Sequence, residues 1–151
     1  MEATGKNLEA AADVEVPPRS WADIASAVDK ISEGLFPAKV VALRVIGASA
    51  MRKLNRDFRG IDEPTDVMSF PAGEAWPYSH AGDIALCWDS VVRQATANGN
   101  SVEAEAVALI AHGLLHLAGW DHSGPETQRA MDAQVRKLLR VAGIEVRSFG
   151  H

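Results

Sequence analysis

Three of the chain's five histidines fall within one apolar stretch, at positions 112, 116 and 122 of the 151 residues. His112 and His116 stand four apart, so on a helix their imidazoles project from one face, one turn above the other, within reach of a single ion. Gly119 falls where such a helix must end. A glycine there can take the left-handed conformation that closes a helix, and the reversed chain can bring His122 back over the same face. Three neutral imidazoles at about 2.0–2.1 Å from an ion form a zinc site of the catalytic kind, with a fourth position left for water. A lone histidine on an apolar face is ordinarily a core or surface residue, and a pair at i and i+4 is weak evidence. The full spacing H-x-x-x-H-x-x-G-x-x-H is much rarer, because its glycine sits where the turn is needed.

The same ligand spacing, H-E-x-x-H-x-x-G-x-x-H, belongs to the metzincin proteases, in which the Glu is the general base. Gly113 takes that position here. Without a side chain it can neither accept a proton nor orient water, which disfavours a peptidase of that kind. A second chemical group precedes this stretch. Residues 48–58 read as a helix with Met51, Leu54 and Phe58 as its apolar stripe and Arg52, Arg56 and Arg59 beside it. Arg52, Lys53 and Arg56 read as a solvated face. Arg59 leaves the helix toward Gly60 and a loop, where a planar guanidinium suits bidentate capture of a phosphate. Asp121 either orients a ligating histidine or caps the turn before His122, with the turn role slightly favoured. Asp66 and Asp83, in strand motifs near the expected cleft, read as structural hydrogen-bonding groups before acid–base ones.

The elements that must position these groups follow from periodicity. Residues 1–7 are expected to be disordered or a tag-like extension, and a weak alternation from Leu8 to Val16 suggests a strand. After Pro17-Pro18, Ser20 can cap a helix on which Trp21, Ile24, Ala25, Val28 and Ile31 recur up to Gly34. The β-branched run from Lys39 to Ile46 predicts a buried strand, and Thr65 to Phe70, ended by Pro71, an alternating one. A loop over 72–81 leads to a strand over Gly82–Cys87, then a helix from Asp89 or Ser90 to about Ala97. Ser101 is a good N-cap for the helix that carries His112 and His116, with Glu103 and Glu105 in its favourable first turn. Being apolar nearly all round, that helix should be central and covered. A final helix from Glu126 to about Val141 turns Met131, Val135, Leu138 and Leu139 inward and Arg129, Arg136, Lys137 and Arg140 outward, as a solvated face. The expected architecture is α+β, one domain over 1–151, with a small mixed sheet of about four strands under packed helices and a central metal-carrying helix.

Composition agrees with a soluble globular domain: 47% hydrophobic and 23% charged residues. A formal charge of −5 argues against general polyanion attraction, so any nucleic-acid contact needs a local basic patch. The single cysteine, Cys87, excludes an intramolecular disulfide and reads as a buried small hydrophobe. No secretory signal or membrane-length apolar run is found, so a cytoplasmic location with no membrane partner is expected.

With these residues in view, the chain resembles the YbeY family of bacterial endoribonucleases and rRNA maturation factors. The family's H-G-x-L-H-L-x-G-[YF]-D-H motif matches His112 to His122, its T-[DN]-V-L-S-F-P motif matches Thr65 to Pro71, its G-D-I matches Gly82 to Ile84, and the arginine of its Y-R-G segment falls on Arg59. Trp120, Met68 and His80 depart from the usual residues, and none is a ligand position. His80 then reads as a loop histidine before a fourth ligand. The resemblance implies one zinc ion on His112, His116 and His122, catalytic roles for Arg59 and His116, and cleavage of single-stranded RNA in rRNA maturation at the small-subunit 3′ end and in ribosome quality control. It implies the small ribosomal subunit and assembly factors as partners, and not DNA. Two rivals stay open: a ribosome-assembly binding module with structural zinc, for which a fourth protein ligand is missing, and a zinc hydrolase of peptides or amides, for which the Glu base is missing. No residue decides whether the attacking oxygen is the RNA's 2′-hydroxyl or water.

Overall fold

The computed structural model describes residues 1–72, 79–121 and 123–148. Among these, the elements run β1 (Glu2–Thr4), β2 (Leu8–Ala12), α1 (Pro18–Leu35), β3 (Val40–Ile46), α2 (Ala48–Arg59), β4 (Val67–Pro71), β5 (His80–Cys87), α3 (Trp88–Asn98), α4 (Val102–Leu117) and α5 (Pro125–Val141). The strands form one mixed sheet in the order β1-β2-β3-β5-β4. β2, β3 and β5 are parallel, while β1 and β4 are antiparallel edges.

Alternation along the strands divides the molecule into two apolar layers. Val41, Leu43 and Val45 of β3 and Ile84 and Leu86 of β5 face the main core, which they share with α1, α4 and α5. Ile46, Ala85 and Cys87 point the other way and meet Met51 of α2 and Met68 in a smaller cluster. The histidine-bearing helix is central, as its sequence requires: every residue from Ala104 to Leu115 is buried. Ser101 caps it, accepting from the Ala104 N–H at 3.1 Å. Among the described residues no helix is long and apolar enough to cross a membrane.

The fold departs from expectation at several places. The sheet has five strands, not about four, because Glu2–Thr4, expected as part of a disordered extension, pairs antiparallel with β2. A three-residue edge strand has too short a pattern to reveal itself by alternation. Ser20 is no cap. It lies inside α1, buried, and its hydroxyl donates to the Glu103 carboxylate, tying α1 to the start of α4. β4 starts at Val67 and not at Thr65, and Pro71 is its last residue, which an edge strand tolerates because one side of its backbone needs no partner. His80 opens β5 and does not lie in a loop. Arg59 is the last residue of α2 and not yet in the loop; Gly60, at φ 72°, makes the left-handed C-cap.

Candidate active site

The end of α4 is built by its glycine. Gly119 has φ 97°, and its N–H donates to the His116 carbonyl at 3.0 Å while that of Trp120 donates to the Leu115 carbonyl at 2.9 Å. These are the paired bonds of a Schellman ending, which satisfy the last carbonyls of the helix. The turn also has a consequence for chemistry: the Trp120 carbonyl lies 3.1 Å from His116 Nδ1. A carbonyl can only accept, so Nδ1 carries the proton and the lone pair of the neutral ring is on Nε2.

That Nε2 faces His112 Nε2 at 3.2 Å. The two rings have centroids 4.8 Å apart and planes inclined by 71°, and His112 is buried while His116 is half-buried. Two ligands of a tetrahedral zinc, each at about 2.0–2.1 Å, stand about 3.3 Å apart, so the pair fits a single ion. Fixing of the tautomer by a backbone carbonyl is the support that metal-ligating histidines ordinarily have. Among the described residues no third histidine, cysteine or carboxylate completes a group of metal ligands. His122, expected as the third ligand, lies outside the described residues.

The pair opens onto a cleft of about 900 Å³ whose other wall is β4 and whose lip is the end of α2. β4 is held against α4 by the Ser69 hydroxyl, which donates to the Gly113 carbonyl at 3.0 Å. The absence of a side chain at 113 now has a packing reason. A Cβ there would lie 3.0 Å from Ile84 Cδ1 and Ser69 Oγ, so the position faces the sheet and has no room for a base. Gly82 serves a similar close approach, at φ 152° and with Leu117 and the Phe70 carbonyl crowding the place of its missing Cβ.

Arg59 lines the cleft with the histidines. Its neighbours on α2 are already occupied: Arg52 holds Asp62 by two bonds, at 2.9 and 3.0 Å, and Arg56 lies 3.8 Å from the same carboxylate. The hydrogen bond from Arg52 holds the Asp62 carboxyl below its ordinary pKa. Among the described residues Arg59 has no such partner, which leaves its guanidinium available to an anion.

The carboxylates separate. Asp66 borders the cleft, but Oδ1 accepts from the Val67 N–H at 2.7 Å and Oδ2 from Gln94 at 3.2 Å. Asp121 accepts from the Ser123 N–H at 3.3 Å and its hydroxyl at 3.2 Å, a turn-capping arrangement. Asp83 does not line this cleft. It lies on the sheet face toward α2, beside His80 at 3.4 Å, in a groove with Arg44 and Ala85. The sequence reading missed Thr65 and Gln128, which bring a hydroxyl and an amide to the cleft. Thr65 stands at the head of a motif already singled out, whereas no local pattern around Gln128 points to it.

Comparison with known proteins agrees with this architecture. A family model described as endoribonuclease YbeY matches residues 7–143. Among the relatives, the endoribonuclease YbeY of Symbiobacterium thermophilum is 36% identical over 129 residues, 78% of this chain and 81% of its own length. That of Stenotrophomonas maltophilia strain K279a is 38% identical over 111 residues, covering 70% and 69%. A Thermotoga maritima protein solved in solution superposes with a TM-score of 0.63 at 26% identity, over 90% of this chain and 87% of that one.

Proposed function

Since the chain belongs to the endoribonuclease YbeY family, we propose that its cleft cuts single-stranded RNA with one zinc ion held by His112, His116 and His122, and that the substrate is ribosomal RNA near the small-subunit 3′ end. Service in rRNA maturation and ribosome quality control, beside the small ribosomal subunit and its assembly factors, follows from the same reading. The observation that carries it is the shared cleft: two imidazole Nε2 atoms 3.2 Å apart and a guanidinium without a carboxylate partner among the described residues line the same space.

Zinc in such a site supplies Lewis acidity toward a phosphodiester oxygen or toward water. The rest is the chain's own work. The Trp120 carbonyl holds the proton on His116 Nδ1, so that the ring's lone pair lies on Nε2, the atom that would ligate the ion. Arg59 donates to the phosphate oxygens, fixes the scissile group in the cleft and stabilises the charge that grows on those oxygens in the transition state. Gly113, turned toward the sheet, takes no part in proton transfer.

Cleavage of a single-stranded RNA by wild type, His116→Ala and Arg59→Glu, with metal content measured on each, tests the assignment. Loss of metal and activity together in His116→Ala, with metal kept and activity lowered about 10²–10³-fold in Arg59→Glu, is expected. Full activity in Arg59→Glu overturns the phosphate role, and full zinc content in His116→Ala overturns the ligand role. A cyclic phosphate on the product ends identifies attack by the 2′-hydroxyl, and a free 3′-hydroxyl attack by water.

A further inference from the structure

By its spacing Phe58 should be buried, since it continues the stripe of Met51 and Leu54 by which α2 packs on the sheet. Met51 is fully buried, yet Phe58 is 67% exposed. The last turn of α2 lies over the edge strand β4, and there the ring that Phe58 meets is Phe70, with centroids 5.2 Å apart and planes inclined by 64°. Such an inclined contact supports the ring from one side and leaves a face open. Phe58 lines both the histidine cleft and the groove on the α2 side of the sheet. The next residue is Arg59, the guanidinium left without a carboxylate partner among the described residues.

A solvated aromatic face beside a solvated cation is how single-stranded nucleic acid is held: the cation takes a phosphate and the ring stacks a base, with little regard to sequence. Resting on the endoribonuclease reading, we infer that Phe58 binds RNA by stacking the base of a nucleotide whose neighbouring phosphate is held by Arg59, with Phe70 as its lateral support. The inference gives single-strand preference a physical source. A base in a duplex is already stacked on both faces and cannot be offered to the ring, whereas an unpaired base can.

Binding of labelled 2′-O-methyl oligoadenylate and oligouridylate, read by fluorescence anisotropy at one fixed salt concentration and checked for intact RNA, tests this in the full chain. Phe58→Tyr keeps a stacking face and should bind as wild type does. Phe58→Leu keeps apolar contact with Phe70 but no aromatic face, and should bind oligoadenylate roughly 5- to 100-fold more weakly, with a smaller loss on oligouridylate. On an abasic strand Phe58→Leu and wild type should bind alike, while Arg59→Glu weakens every strand. Equal binding of oligoadenylate by Phe58→Leu and wild type overturns the inference, as does an equal loss on the abasic strand, which would place the effect in the shape of α2. A wild-type chain that binds none of the strands sinks the endoribonuclease reading itself, an outcome distinct from failure of the stacking.

Discussion

Replacing Gly113 by alanine sets two effects of opposite sign against each other, and the structure decides between them. Alanine is the better helix former by about 0.8–1.0 kcal/mol, and Gly113 lies well inside α4. Its Cβ, however, would stand 3.0 Å from Ile84 Cδ1, 3.0 Å from Ser69 Oγ and 3.4 Å from Val67 Cγ2, where carbon contacts prefer about 3.5–4.0 Å. Overpacking of this kind costs about 1–3 kcal/mol. Displacing the Ser69 hydroxyl from the Gly113 carbonyl adds about 0.5–1.5 kcal/mol. The net expectation is a loss of about 0.5–3.7 kcal/mol, and a value near the middle lowers Tm by roughly 4–8 °C in a chain of this length. Urea unfolding should show a lower midpoint with an unchanged slope. Combining Gly113→Ala with Ser69→Ala removes one of the two closest atoms, so the double variant should be less damaged than the two losses added, by at least about 0.5 kcal/mol. A Gly113→Ala protein as stable as wild type or more so, with additive losses in the double variant, would refute the argument that this glycine is there for close packing of α4 on β4.

Other consequences can be checked alongside. Saturating zinc at about 100 times its dissociation constant should stabilise the wild-type chain by about 2.7 kcal/mol and leave His116→Ala nearly unmoved, as read by thermal unfolding with and without chelator. Gly119→Ala forces a side chain onto a residue at φ 97° at about 1–2 kcal/mol; by shifting the Trp120 carbonyl from His116 it should weaken zinc binding about 10- to 100-fold in competition with a chromophoric chelator. Glu105 is buried and its Oε1 accepts from Asn98 and Asn100 at 3.0 and 3.1 Å, so Glu105→Ala should cost about 1.5–3 kcal/mol in urea unfolding. The hydrogen bond from Ser20 lowers the Glu103 pKa from its ordinary value. A carboxyl depressed in the folded state contributes stability that is present above the unfolded pKa of about 4.3 and lost as the pH falls through the lower folded value. Ser20→Ala should therefore flatten the acid limb of the stability profile and leave the difference from wild type constant above about pH 5.

How much of this could be read in advance depends on the range of the forces involved. α4 was legible throughout, since its N-cap, its apolar surround and its terminal glycine are local requirements that Ser101, residues 104–115 and Gly119 meet by type and position. The pairing of His112 with His116 needed only the helical repeat. What the sequence did not reveal is which groups the tertiary structure leaves over. Arg59 could be set apart from Arg52 and Arg56 only by its place at the end of the helix, whereas the occupation of the other two by Asp62, which folds back onto them, is visible only in the structure. Phe58 has the period of a core residue and stays exposed because its turn of α2 lies over the edge strand. Asp83 belongs to the motif Gly82-Asp83-Ile84, yet strand alternation sends it to the face away from the histidines because its neighbour Ile84 is committed to the main core. In all three cases the chemistry available to the cleft is set by what the fold has not already used. The consecutive pair Phe58-Arg59 is therefore where substrate contact is expected, although Phe58 does not stand out in the chain as Arg59, His112 and His116 do.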